Sequence, residues 1–155
     1  MKLDTTDLKI LRLLQADGSL SNLELAKKIN LSPSPTLARV KRLEESGVIA
    51  HYAALVNPAA LGLQLTVFIS ISLEKQEASI LDHFEAKISQ LEEVMEAYLM
   101  TGDEDYLLRL AVRDIHALER FILDNLTLIP GVGKIRSSFA LKRVKYTTAL
   151  PIHQA

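Results

Sequence analysis

Apolar residues recur at intervals of three or four along the first third of the chain, a pattern that predicts amphipathic helices. Asp4 can cap the first helix, and Gly18 ends it. Ser21, followed three residues later by Glu24, is a capping-box sequence that opens a short second helix. Because only a few residues separate these helices, we expect them to pack into one small helical unit.

A third helix is predicted to begin at Ser32. Pro33 takes the first helical position, where its missing N–H costs no hydrogen bond, and Gly47 supplies the stop. The residues from Val48 to Val56 are typical of a strand. Three helices joined by short turns and followed by such a strand predict a winged helix-turn-helix over residues 1–56.

The outer face of this third helix is the candidate functional surface. Leu37, Val40 and Leu43 are expected on the inner side. The side chains expected to face outward, or to lie on the flank, are polar or basic: Ser34, Pro35, Ala38, Arg39, Lys41 and Arg42. No acidic residue lies between Glu24 and Glu44, so the face is locally positive.

The first residues of a recognition helix contact base edges and its later cations contact phosphates, so double-stranded DNA is the predicted partner. A solvated basic face on an ordinary helix is the alternative. The net charge of −1 does not by itself favour nucleic acid.

The second part of the chain opens with an almost strict alternation of apolar and polar residues, Leu65–Leu73, which predicts a strand. The elements predicted after it are a helix over 80–91, strands over 94–100 and 105–112 joined by a tight turn at Gly102, a helix over 115–129 and a last strand over 135–141. This βαββαβ order predicts a ferredoxin-like domain with both helices on one face of a four-stranded antiparallel sheet. The fold class expected for the whole chain is α+β.

The other face of that sheet would carry Phe68, Leu107 and Ala111 among polar residues. Such a face is too apolar to be left in water and too polar for the core of a monomer. A second copy of the chain is therefore the predicted cover, which makes the protein a homodimer.

The boundary between the two parts is rich in turn-forming residues, with Asn57, Pro58 and Gly62 close together. The predicted organisation is a DNA-binding domain over 1–56, a linker over 57–63 and a second domain over 64–155.

The composition fits a well-cored globular protein, because 48% of the 155 residues are hydrophobic and 24% are charged. The absence of cysteine excludes disulfides and thiolate metal sites. The first residues contain no apolar signal region, and polar residues interrupt the most apolar stretch. We therefore expect a cytoplasmic protein with no membrane partner.

An enzyme is the rival class, since Asp103, Glu104 and Asp105 could be metal ligands or an acid–base pair. Adjacent residues of a strand point to opposite faces, so the three carboxylates cannot all converge. The four histidines fall in no metal-ligand spacing. Gly131 and Gly133 lack the further glycine and lysine of a phosphate-binding loop. We expect no catalytic residue, no metal and no cofactor.

Four segments together resemble the Lrp/AsnC (feast/famine) transcription regulators over nearly the whole chain. They are L-D-T-T-D-L-K-I-L at Leu3–Leu11, L-S-P-S-P-T-L-A-R-V-K-R-L-E-E-S-G-V-I at Leu31–Ile49, T-G-D-E-D-Y-L-L at Thr101–Leu108 and I-P-G-V at Ile129–Val132. The long segment is the most specific. Ser19 departs from the pattern, because the family commonly has arginine at that position.

The resemblance implies dimers built through the C-terminal sheets, often assembled further into octamers, with DNA bound by paired winged domains. It also implies an amino-acid effector bound between dimers. By position, the residues that match the family's DNA helix are Ser32, Ser34, Thr36, Arg39 and Arg42, and those that match its effector turn are Gly102 and Asp105. A regulator that needs no effector and wraps DNA architecturally fits the sequence equally well.

An amino acid presents a carboxylate, an ammonium group and a side chain, so its site needs N–H donors, negative charge and a shaped pocket. The residues predicted to form it are Met100, Thr101, Gly102, Asp103, Glu104, Asp105 and Leu107. An ordinary solvated hairpin tip is the alternative on spacing alone. Leucine or methionine is the first choice of effector by resemblance. Glu104 stands where the family frequently has an aromatic or small residue, and its extra carboxylate makes lysine or arginine the second choice.

Overall fold

The computed structural model describes residues 2–152, which form two compact units. The first unit contains residues 2–55 together with 144–152, and the second contains residues 56–143. No helix in this part of the chain is long and apolar enough to cross a membrane.

The first unit contains three helices, as predicted, and both predicted N-terminal caps are present. Their bounds are α1 Thr5–Ala16, α2 Asn22–Ile29 and α3 Pro33–Glu45. Ser21 and Glu24 form the capping box of α2, and Asp4 forms a second box with Asp7 at α1. The helices share a core of three buried side chains, Ile10, Leu25 and Leu43.

The strand predicted over Val48–Val56 does not form in the described structure. Residues 48–57 contain no strand, and a short 3-10 helix, Pro58–Leu61, follows them. A strand requires a partner for its backbone N–H and C=O groups, and no other described segment pairs with this one. β-forming residue types alone could not supply that partner.

The C-terminal segment packs on α1, although the sequence analysis placed it with the second domain. The side-chain amide of Gln15 donates to the Leu150 carbonyl at 3.1 Å and accepts from the Leu150 N–H at 2.6 Å. Arg12 donates to the Ile152 carbonyl at 3.0 Å. These contacts join residues that are far apart in sequence, so no local pattern could have predicted them.

The second unit has the predicted βαββαβ order. Its elements are β1 Leu65–Leu73, α4 Ala78–Ile88, β2 Val94–Leu99, β3 Tyr106–Val112, α5 Ile115–Asp124 and β4 Val132–Phe139. The helix predicted over 115–129 ends early, because Asn125 leaves the helical conformation and a 3-10 turn, Leu126–Leu128, replaces the last turn.

The four strands form an antiparallel sheet in the order β2-β3-β1-β4, which places β1 and β3 at its centre. The predicted alternation of β1 holds: Val67, Ile69 and Ile71 are fully buried in the main core of this unit, which also includes Phe84 of α4 and Leu118 of α5. Leu108 and Leu110 of β3 belong to the same core, and the candidate effector turn leads directly into β3.

The open face of the sheet carries the residues expected there. Phe68 is opposite Arg109 in the register, and Ser70 is opposite Leu107, so these side chains share the face that points away from the core. Phe68 is 37% exposed. Arg109 forms a 2.6 Å ion pair with Glu96 of β2, so the face combines apolar and charged side chains.

Candidate functional site

The second helix of the helix-turn-helix pair, α3, presents its N-terminal turn to solvent. Pro33 occupies the first helical position, and Asn30 adopts a left-handed conformation (φ 58°) that ends α2 and leads into α3. Six of the predicted DNA-contacting side chains are exposed: Ser32, Ser34, Pro35, Ala38, Lys41 and Arg42.

Thr36 does not lie on that exposed face, contrary to the prediction. It is fully buried, and its hydroxyl donates to the Ser32 carbonyl at 2.9 Å. Leu37, expected inside, is 44% exposed instead. Thr36, Val40 and Leu43 follow the four-then-three spacing of one helix face. The hydrogen bond to Ser32 satisfies the hydroxyl of Thr36, so this polar side chain can be buried.

Arg39 and Arg42 are two of the three cations predicted to contact phosphate, and both form ion pairs with carboxylates at the start of α1. Nη1 of Arg39 lies 2.7 Å from Oδ2 of Asp4 and 2.8 Å from Oδ1 of Asp7. Nη2 of Arg42 lies 2.8 Å from Oδ2 of Asp7 and 2.9 Å from its Oδ1. Asp7 is fully buried, whereas the side chains of Arg39 and Arg42 are 28% and 50% exposed.

The same contacts shift the pKa values of Asp4 and Arg39. The Asp7 backbone N–H and the Arg39 guanidinium lower the pKa of Asp4, and hydrogen bonds to Asp4 and Asp7 raise the pKa of Arg39. Asp4 and Arg39 therefore remain charged at neutral pH. The two arginines and the two carboxylates of this cluster balance each other in formal charge. Lys41 of α3 and Lys27 of α2 form no ion pair with any residue described between 2 and 152, so their charge remains available to a ligand.

The candidate effector turn joins β2 to β3. Gly102 has φ 123°, a conformation that L side chains rarely adopt, and no heavy atom lies within 4 Å of where its Cβ would be. The Met100 N–H donates to the Asp105 carbonyl at 2.8 Å and closes the hairpin. Thr101 and Asp103 are exposed at its tip.

The Asp105 carboxylate holds this turn against the end of β1. Its Oδ2 accepts the Leu73 N–H at 2.7 Å, and its Oδ1 accepts a short hydrogen bond from Nε2 of Gln76. The Asp105 N–H donates to the Ile71 carbonyl at 2.9 Å. Asp105 therefore stabilises the turn through hydrogen bonds to residues at the end of β1. This role could be recognised only once the pairing of β1 with β3 was known.

Glu104 points to β4. Its Oε1 lies 2.9 Å from Nη1 of Arg136, and its side chain is only 24% exposed. Arg136 is opposite Ser70 in the register, so its side chain is on the open face beside Leu107. Arg136 is not among the predicted site residues, because it lies 32 residues from Glu104 along the chain. Among the three acids, Asp103 alone has no hydrogen bond or ion pair within the described structure.

Two clefts lie in the second unit, but the predicted effector residues line neither. A cleft of about 450 Å³ lies between α4 and β2, where Tyr106 donates to Glu85 at 2.7 Å. Another, of about 430 Å³, lies at the far end of β3 beside Arg113 and Arg120. The candidate effector turn thus lies outside both clefts, and Thr101 and Asp103 at its tip are exposed.

Comparison with known proteins assigns a family description to each part. Residues 3–50 match a winged helix-turn-helix DNA-binding domain, and residues 66–150 match the Lrp/AsnC ligand binding domain. The chain is 48% identical to the Bkd operon transcriptional regulator of Pseudomonas aeruginosa, over 97% of this chain and 99% of that protein. It is 41% identical to the leucine-responsive regulatory protein of Escherichia coli K12, over 97% and 92% of the two chains.

Solved structures of transcription regulators have the same fold as this chain. A transcriptional regulator from Neisseria meningitidis, crystallised as a complex with L-methionine, superposes with a TM-score of 0.93 at 42% identity, over 97% of both chains. An AsnC family regulator from Agrobacterium tumefaciens gives 0.92 at 41% identity, over 96% of this chain and 97% of that one.

A helix-turn-helix unit joined to a βαββαβ ligand-binding unit defines a DNA-binding transcription regulator that responds to an amino acid, and not an enzyme. The chain belongs to the Lrp/AsnC family. The family resemblance and the fold class expected from the sequence are thereby confirmed.

Proposed function

We propose that this regulator binds a two-fold operator as a homodimer and that leucine or methionine, bound at the turn after β2, modulates that binding. The exposed first turn of α3 carries the DNA part of the proposal. Ser32, Ser34, Pro35 and Ala38 would meet base edges, and Lys41 would meet phosphate. Binding to double-stranded operator DNA supports a cytoplasmic location as part of the proposal.

The choice of effector depends on the charges at the turn. Arg136 already neutralises Glu104, so the turn loses the extra negative charge that would favour a cationic side chain. The relatives named leucine-responsive and the neighbour crystallised with L-methionine support an apolar amino acid. Asp103, which has no partner among the described residues, is the carboxylate we assign to the effector's ammonium group, and backbone near Gly102 is assigned to its carboxylate.

A second copy of the chain is proposed on the open sheet face. Phe68 and Leu107 form the apolar part of this face. Arg109 and Glu96 form an ion pair with each other, so a second copy that covers them would not bury an unpaired charge. Further assembly of dimers into octamers would give the open turn the remaining walls of its pocket, as the family resemblance implies.

Isothermal titration of leucine, methionine, lysine and arginine into the purified protein tests the effector assignment. Leucine or methionine should bind, and lysine and arginine should not. Binding of the cationic pair alone would contradict the proposal.

Footprinting on a duplex that the protein selects from a random-sequence pool tests the DNA assignment. A two-fold dimer should protect two inverted half-sites about one helical turn apart, or a multiple of it. Protection of one unrepeated site by a dimer would contradict the proposed geometry.

Light scattering tests the dimer. Phe68→Glu places a charge in the proposed interface and should produce monomers that keep their helical content. Leu128→Glu is the matched control, because Leu128 is 70% exposed on a 3-10 turn away from the open face. A Phe68→Glu variant that stays dimeric would place the interface elsewhere.

A further inference from the structure

The buried carboxylate of Asp7 lies at the junction of α1 and α3. It accepts the Asp4 N–H at 3.1 Å, one hydrogen bond from Arg39 and two from Nη2 of Arg42. These four hydrogen bonds use about the full acceptor capacity of a carboxylate. A fully buried charge is expensive unless it is paired and hydrogen-bonded, so the structure depends on both arginines at this point.

We infer that Asp7, Arg39 and Arg42 are positioning residues that set the orientation of α3, and that the two arginines supply little of the charge that binds DNA phosphate. This inference rests on the proposed use of α3 for DNA binding and assigns a different role to two of its predicted contacts. Lys41, and not the arginine pair, then provides the phosphate-binding charge of α3.

The charge balance supports this division. Asp4 and Asp7 carry two negative charges, and Arg39 and Arg42 carry two positive charges, at distances of 2.7–2.9 Å. Affinity for DNA depends on salt because each uncompensated cation that neutralises a phosphate releases a condensed counterion. A neutral cluster contributes little to that release, and moving either arginine to a phosphate would leave Asp7 buried without part of its compensation.

The geometry supports it as well. Arg39 and Arg42 are three residues apart on one face of α3, and Asp4, the N-cap of α1, is three residues before Asp7 in its first turn. Contacts at two levels fix both the rotation and the translation of α3 along α1. The direction in which Ser34 and Ala38 point follows from that rotation. Asp4 and Asp7 also form the capping box of α1, so the same carboxylates that start α1 hold α3.

The test measures affinity for the selected duplex by fluorescence anisotropy across a series of salt concentrations. Arg42→Gln should weaken binding several-fold at every concentration and leave the slope of log affinity against log salt unchanged. Lys41→Gln is the matched control on the same helix, and it should lower the slope by about one unit. A slope that falls as much for Arg42→Gln as for Lys41→Gln would overturn the inference.

Arg42→Gln alone leaves Asp7 under-compensated and lowers the melting temperature, so the double variant Asp7→Asn with Arg42→Gln provides a second measurement. It replaces two charges by amides that can still form hydrogen bonds, and it should recover melting temperature and affinity towards the parent with an unchanged slope. Affinity and slope that remain low in the double variant would show that Arg42 contacts phosphate directly. If the parent itself shows no operator binding, the proposed function fails, and that outcome is distinct from failure of the positioning role.

Discussion

The guanidinium of Arg136 on β4 lies 2.9 Å from the carboxylate of Glu104, just before β3, and bridges two segments on either side of β1. This pairing changes the charge of the candidate effector turn. Three neighbouring carboxylates would attract a cationic ligand, but one of them is already neutralised, and another, Asp105, accepts two hydrogen bonds from the protein.

Arg136→Gln is expected to release the Glu104 carboxylate and to create weak binding of lysine or arginine that the parent lacks. Adding Glu104→Gln to this variant should abolish it. The pair is partly exposed, so the free energy of unfolding should change by less than about 1 kcal/mol in either variant. Calorimetric titration checks the affinities. Cationic amino acids that bind the parent and the Arg136→Gln variant equally would show that Glu104 does not control ligand charge.

Asp103 and Asp105 are expected to respond differently to removal. Asp105→Ala leaves the buried Leu73 N–H without its acceptor, which should cost roughly 1–3 kcal/mol and also weaken effector binding. Asp103→Ala should weaken effector binding without changing the melting temperature of the ligand-free protein. Asp124→Ala, at an exposed position at the end of α5, is the control and should change neither property. An Asp105→Ala variant with full stability and full affinity would show that the carboxylate neither stabilises the fold nor contributes to effector binding.

Tyr52 gives the first unit a pH dependence at alkaline pH. Its hydroxyl donates to Glu44 at 2.9 Å, and burial together with that carboxylate raises the pKa of Tyr52 to about 12. The folded state retains a proton that the unfolded chain loses near pH 10, so the stabilisation is complete below pH 10 and is lost as the pH rises towards 12. Because Tyr52 is half exposed, the effect should stay below about 1 kcal/mol.

Chemical denaturation of the parent and of Tyr52→Phe between pH 8 and 11 measures this contribution. The parent should lose stability more steeply than the variant above about pH 10. Parallel curves for the two proteins would show that the hydrogen bond to Glu44 does not affect titration.

Gln15 is expected to hold the C-terminal segment on α1. Gln15→Ala removes both hydrogen bonds to Leu150 and should increase amide exchange at that residue, while the amides of α1 keep their protection. Hydrogen exchange followed by NMR is the measurement. Gln90→Ala, at an exposed position after α4, is the control. A Leu150 amide that already exchanges freely in the parent would contradict the contact.

The sequence by itself determined the elements and their order. Ser21 with Glu24 and the alternation of Leu65–Leu73 are signals complete within one turn or one strand, so they need no knowledge of the rest of the chain. The βαββαβ order leads to the sheet order because consecutive antiparallel strands and the helices between them have few ways to pack. The position of the candidate effector turn between β2 and β3 followed from the same kind of information, whereas the burial of Thr36 and the exposure of Leu37 on α3 did not.

Only the tertiary structure decided which functional side chains are free to act. In the sequence, Arg39, Lys41 and Arg42 are three similar cations of one helix. In the structure, Asp7 of α1 forms ion pairs with both arginines but not with Lys41. The ion pair of Glu104 likewise depends on Arg136 of β4, a strand that is separated from β3 by β1. The physical reason is that a charge is compensated by whatever lies within a few ångströms of it, and packing brings together groups about 30 residues apart that no local pattern connects.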